Sequence, residues 1–94
     1  MFIYVIGPDE GEQKIGLSKS PERRLKNLQT GHPKRLRIHH KEPIDATIVH
    51  KLEKKIHTEL NYKRTKGEWF NMTPQEATEF VIYFRIRYAE AKGF

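Results

Sequence analysis

Two apolar runs stand within the first seventeen residues, Phe2-Ile3-Tyr4-Val5-Ile6 and Lys14-Ile15-Gly16-Leu17, on either side of Gly7-Pro8-Asp9-Glu10-Gly11. β-Branched and aromatic side chains pack well on a pleated surface, and Gly, Pro and Asp turn the chain, so the runs read as two strands of a hairpin. The connection is longer than two residues, which leaves its turn type open. A helix follows at once. Ser20 offers a hydroxyl to an orphan backbone N–H, and Pro21 suits the first helical position, where no N–H is needed. This strand, loop, strand, helix unit is what the rest of the chain must pack against.

The first helix is expected over about 21–30, with Gly31 as its stop and Pro33 beyond. Leu25 and Leu28 form its apolar stripe. At about 100° per residue Arg24 lies on the shoulder of that stripe and Arg23 almost opposite it. Residues 35–41 alternate, with Leu36 and Ile38 on one face, and read as a third, half-buried strand ended by Pro43. His39 and His40 are adjacent on it, point to opposite faces and make a poor metal pair. Asp45 is placed to cap a second helix over about 46–61, striped by Ile48, Val49, Leu52, Ile56 and Leu60. Glu53 and His57 share one flank of that stripe and Glu59 takes the other. A basic loop, 62–66, precedes Gly67-Glu68-Trp69-Phe70-Asn71. Trp69 is expected to fill the core, with stacking on a base as the alternative. Thr73-Pro74-Gln75-Glu76 is a capping box opening a third helix over about 74–91, with Ala77, Phe80, Val81, Phe84 and Ile86 inward and Gly93 as its end. The expected architecture is α+β, a small three-stranded antiparallel sheet flanked by helices in the order β-β-α-β-α-α.

Ninety-four residues suit a single domain over 1–94. There is no cysteine, which excludes disulfides, thiolate metal sites and cysteine nucleophiles and suits a reducing cytoplasm. No stretch is long and apolar enough for a membrane, and Met1 is followed directly by a strand pattern rather than a signal peptide. The net charge of +6 is unevenly placed. Residues 14–41 carry nine Lys or Arg against Glu22 alone, a local +8 that leaves −2 for the remainder. The candidates for a polyanion-binding face are Lys14, Lys19, Arg23, Lys26, Lys34, Arg35 and Arg37, with nucleic acid the expected partner. The alternative is a solvated basic face.

Placed in order, these residues resemble the GIY-YIG nuclease superfamily, particularly its small bacteriophage-type branch. Phe2-Ile3-Tyr4 stands where the family writes Gly-Ile-Tyr, and Lys14-Ile15-Gly16 where it writes Tyr-Ile-Gly. Arg24 matches the family's helix-one arginine and Glu53 its metal-binding glutamate. Lys-Ile-Gly-Leu-Ser-Lys-Ser-Pro-Glu-Arg-Arg-Leu, Leu-Gln-Thr-Gly-His-Pro, Leu-Glu-Lys-Lys-Ile-His and Gly-Glu-Trp-Phe follow the branch pattern, over about residues 2–72. Three positions depart: Phe2 for glycine, Lys14 for the second tyrosine, and Leu28 where the family often has His or Tyr.

The resemblance implies a metal-dependent DNA endonuclease, with Tyr4, Lys14, Arg24 and Glu53 catalytic and one Mg²⁺ or Mn²⁺ on Glu53, acting in the cytoplasm of a bacterial or phage-infected cell. Gly16, His57, Glu68, Trp69 and Asn71 are expected in support, with Asn71 and Glu68 as rivals for the family's late asparagine. Such chemistry needs a group to take a proton from water, donors for the phosphate oxygens and charge at the leaving oxygen. Lys14 is expected to lower the pKa of Tyr4, since a neighbouring ammonium favours the phenolate. The alternative is a catalytically weak or inactive nucleic-acid-binding or protein-interaction module on the same fold.

Overall fold

The computed structural model describes residues 1–91. Its elements are β1 (Phe2–Gly7), β2 (Gln13–Ser18), α1 (Pro21–Gln29), β3 (Arg37–Pro43), α2 (Val49–Glu59), a 3₁₀ turn (Asn61–Lys63), β4 (Arg64–Lys66), β5 (Trp69–Phe70) and α3 (Pro74–Ala91). Gly93, the expected end of α3, lies outside the described residues.

The chain is α+β, with an antiparallel sheet and three helices, but the sheet has five strands in the order β3-β1-β2-β5-β4 rather than three. Of the two extra strands, β4 falls in the expected basic loop and β5 in the apolar patch that follows it, where the sequence allows a short strand or a loop. They are three and two residues long and join at Gly67, whose φ of +57° is the left-handed backbone that glycine adopts freely. Arg64-Thr65-Lys66 has no apolar alternation, so nothing in its side chains announces a strand. Trp69 and Phe70 supply the pairing, opposite Lys14 and Gln13.

The sheet has an apolar cluster on each face. On one, Ile3, Val5, Ile15 and Phe70 pack with Val49, Leu52, Ile56 and Leu60 of α2 and Ala77, Val81 and Phe84 of α3. On the other, Tyr4, Ile6 and Leu36 pack with Leu25 and Leu28 of α1, Ile38 and Trp69. The period-two alternation of β1 thus feeds both faces, which is why nearly all of it is buried. Ile86, expected to face inward, is 42% exposed; Phe84 is the last buried residue of α3 among the described side chains.

Local signals set the element ends. The Ser20 hydroxyl accepts the Arg23 N–H, and Thr73 and Glu76 bond reciprocally at the start of α3. Asp45 does not cap α2 directly. Its carboxylate takes the Thr47 N–H and hydroxyl, both at 2.8 Å, holding a turn from which α2 starts at Val49. β3 continues through Pro43 because it is an edge strand, where a missing N–H costs no ladder bond. Val5 pairs with His40 and Ile6 with Ile38, so His39 is the extra residue of a bulge. Its Nε2 lies 3.0 Å from Gly7 O, while His40 meets Glu42, so the two rings are engaged separately. The β1–β2 loop is held by fully buried Gln13, whose amide donates to the carbonyls of Pro8 and Gly11.

Candidate active site

The β1–β2 register puts Tyr4 opposite Gly16 and Ile6 opposite Lys14, so these side chains share a face. A Cβ at Gly16 would lie 2.6 Å from Tyr4 Oη, 2.8 Å from its Cζ and 3.2 Å from Glu68 Oε1. Real Cβ contacts are not that short. The missing side chain at Gly16 is what lets a phenol and a carboxylate converge there. Tyr4 Oη is buried without a hydrogen-bond partner.

β5 pairs with β2 only at Gln13 and Lys14. Past that point two groups complete the edge of β2. Ile15 N donates to Glu68 O at 3.2 Å, and His57 Nε2 donates to Ile15 O at 2.8 Å. The second bond draws α2 to this edge, and Glu53, one helical turn before His57, comes with it. One donor atom from each of Glu53, His57 and Glu68 lies within 4.8 Å of the others. The Lys14 ammonium is 3.1 Å from Glu68 Oε1 and 5.7 Å from the centre of the Trp69 ring.

Electrostatics follow from this crowding. Burial pushes Glu53 up to about 7; the Glu68 charge and a hydrogen bond between the two carboxyls add to it, while Lys14 opposes. The pair therefore holds a proton near neutrality. His57 is lowered, chiefly by burial, so its ring is neutral with Nε2–H committed to Ile15. Burial raises Tyr4 to about 12; Arg24 pulls it down, and Glu68 and Glu53 push it up. This reverses the expected effect of Lys14, whose ammonium faces Glu68 instead of acting on Tyr4.

Arg24 and Arg23 are both exposed on α1, but only Arg24 acts on Tyr4, as the helical angle implied. Of the two rivals, Glu68 joins the site. Asn71 is exposed, bonds Lys63 O through its own N–H and lines a separate groove with Asp9, Glu10 and Gly11. Glu59 pairs with Lys55 at 3.0 Å. Trp69 is half-buried, stacked on His32 with ring centres 5.6 Å apart. Leu28 packs on the apolar cluster beneath α1.

Two neighbours were not singled out by sequence. Arg64 lines a cleft of about 480 Å³ with Glu53, Lys54, His57, Thr58 and Asn61. Its guanidinium donates to Gly67 O, to Asn61 Oδ1 at 3.1 Å and to His57 O at 3.4 Å. Its only signal was membership of the basic stretch before Gly-Glu-Trp-Phe. His32 was visible only inside Leu-Gln-Thr-Gly-His-Pro. On the basic face Lys19, Arg23, Lys26, Lys34 and Arg35 are exposed; Arg37 pairs with Asp9 and Lys41 with Glu22. No described helix is long and apolar enough to cross a membrane.

Compared with known families, residues 1–85 match the T5orf172 domain. Comparison with curated proteins and with solved structures gives no match.

Proposed function

Because the chain belongs to the T5orf172 domain family, a domain found in phage and bacterial endonuclease-like proteins, we propose that it is a metal-dependent DNA endonuclease of GIY-YIG type, working in the cytoplasm of a bacterial or phage-infected cell. The observation that carries this reading is the convergence of Tyr4, Glu68 and Lys14 around Gly16 with Glu53 and His57 at the same strand edge. A plain nucleic-acid-binding face has no need of an unpartnered buried phenol or of two carboxyls sharing a proton.

The donor set fits a divalent cation. Glu53 and Glu68 bring two carboxyls together with less positive charge than both need, so Glu53 keeps a proton to near neutrality. Glu53 would hold an Mg²⁺ or Mn²⁺. Such an ion, when bound, supplies charge to a phosphoryl oxygen and to the leaving oxygen. The chain's own residues do the rest. Arg24 offers a planar fork of donors to the phosphate. In its phenolate form Tyr4 Oη, with no partner of its own, would take the proton of the attacking water. Burial keeps Tyr4 a phenol at neutral pH and Arg24 favours the phenolate, so cleavage should rise with pH. Lys14 holds Glu68 in place and stands near enough to the site to meet phosphate. Lys19, Arg23, Lys26, Lys34 and Arg35 steer and hold the DNA backbone.

One observation favours a second reading. Lys14 puts a resident cation on Glu68, which suits a binding module that has lost cleavage. Incubating supercoiled plasmid with the purified protein and Mg²⁺ or Mn²⁺, with Glu53→Gln as control, decides between them. Nicking by wild type alone supports the nuclease. Wild type that binds DNA without nicking it at any pH or metal hands the case to the binding module.

A further inference from the structure

We propose that Glu53, His57 and Glu68 form one three-ligand cation site, selective for Mn²⁺ and the later first-row ions over Mg²⁺. The proposal deepens the nuclease reading above and rests on it only for what the ion is used for. Bonds of about 2.1 Å put ligands of one ion at most about 4.2 Å apart. A ring nitrogen of His57 and one oxygen of each carboxylate already lie within 4.8 Å of one another, so side-chain rotations alone can bring the three residues to one ion.

Two further observations point to a cation at this place. The first is Tyr4 Oη, fully buried and without a partner, which together with Glu68 Oε1 borders the space left by Gly16. The second is the orientation of His57. Ligating imidazoles almost always donate their other ring N–H to a carbonyl or carboxylate, which fixes the tautomer. His57 Nε2–H is bonded to Ile15 O at 2.8 Å, so Nδ1 carries the lone pair. Phe70, 5.2 Å away between ring centres, holds the ring in place. This carbonyl is available because β5 ends its pairing at Lys14. Lys14 does not replace the ion. It contacts one oxygen of Glu68, while Glu53 forms no ion pair among the described residues.

The donor chemistry sets the selectivity. Mg²⁺ demands oxygen donors in near-ideal octahedral geometry and gives up its waters reluctantly. A ring nitrogen suits Mn²⁺ less than Zn²⁺ or Ni²⁺, but suits all of them better than Mg²⁺, and affinity rises along the first row. Glu53 alone would discriminate weakly. Adding His57 Nδ1 is what separates Mn²⁺ from Mg²⁺.

The test uses the full chain with Mn²⁺ alone. Electron spin-echo envelope modulation on bound Mn²⁺ should show coupling to a directly bound ¹⁴N. The coupling should change to the ¹⁵N pattern in protein labelled with ¹⁵N-histidine and vanish in His57→Gln, whose amide can still donate to Ile15. By calorimetry Mn²⁺ should bind at least about tenfold more tightly than Mg²⁺. Glu68→Gln and His57→Gln should each weaken Mn²⁺ binding by about tenfold to a hundredfold, and Glu59→Gln should not. If His57→Gln fails to fold, the wild-type isotope experiment and Glu68→Gln carry the test. Mn²⁺ bound without nitrogen coupling, coupling that persists in folded His57→Gln, or equal affinity for the two ions overturns the proposal. Plasmid nicking without ¹⁴N coupling would overturn the three-ligand site and leave the nuclease. Coupling without nicking would leave the site and overturn the nuclease.

Discussion

Replacing Glu53 by Gln should make the protein more stable, and only above about pH 5. The folded state raises this carboxyl from 4.5 to about 7 through burial and the adjacent Glu68. Between those values the folded chain binds more protons than the unfolded one, so stability falls as pH rises through the window, and the full cost persists above it. At 1.36 kcal/mol per unit the shift corresponds to about 3 kcal/mol. Glu53 is only half-buried, so solvent screening reduces this to about 1–2 kcal/mol. Gln removes the charge while keeping a donor for Glu68. Urea denaturation in EDTA at pH 5 and pH 8 is the assay. The variant should match wild type at pH 5 and exceed it by about 1–2 kcal/mol at pH 8, or about 5–10 °C in Tm for a domain of this size. His57 works in the opposite sense, its lowered value making stability fall as pH drops below about 6.5. The wild-type minus variant difference removes that contribution. Excess Mn²⁺ at pH 8 should invert the order, since ligand at a hundred times Kd adds about 2.7 kcal/mol to the form that binds it. Equal stability of the two proteins at pH 8 would refute the claim that Glu53 and Glu68 share a proton.

Gly16→Ala should drive a Cβ into the Tyr4 phenol, costing about 1–3 kcal/mol of stability; nicking should fall by a larger factor than DNA binding does, and a gel-shift and plasmid assay in parallel checks this. Tyr4→Phe removes a buried hydroxyl that has no partner, so a thermal melt should show about 1 kcal/mol of gain while nicking is almost abolished. Arg24→Ala should lower nicking by about tenfold to a thousandfold, and Arg23→Ala should do little more than weaken DNA binding; equal losses would mean generic charge. With four or five exposed cations on the basic face meeting phosphate, log affinity for duplex DNA against log salt should slope at about −4, and a slope near zero by fluorescence anisotropy would remove the DNA-binding role.

What the sequence made legible was whatever is encoded locally. The β1 and β2 runs, the Ser20 and Thr73 caps, and the stripe from Val49 to Leu60 depend on neighbours within a turn or a pleat. The site was half legible. Tyr4, Lys14, Arg24 and Glu53 came from the spacing of a family pattern, and the helical angle separated Arg24 from Arg23. Glu68 could not be chosen over Asn71 because the choice depends on β5 pairing with β2, a contact more than fifty residues apart in sequence. The raised Tyr4 was missed for a related reason. Lys14 and Tyr4 share a face, but the carboxylate that captures the ammonium arrives from β5. β4 was missed because its strand character comes from its partner rather than from its own residues.

The sheet ends in β3 on one side and β4 on the other. β3 carries a bulge at His39 and ends in Pro43, and β4 is three residues long with Arg64 and Lys66 on it. An unpaired strand edge is a template for another copy of the same chain, and bulges, prolines and cations are what blunt it. Two copies joining through β4 would bring like charges face to face. Arg64 and Lys66 therefore help to keep the protein dispersed, and that protection weakens where their charges are neutralised. Clumping is expected under crowded loading on a polyanion rather than in free solution, so soluble yield should depend on salt and nucleic-acid content before it depends on fold stability.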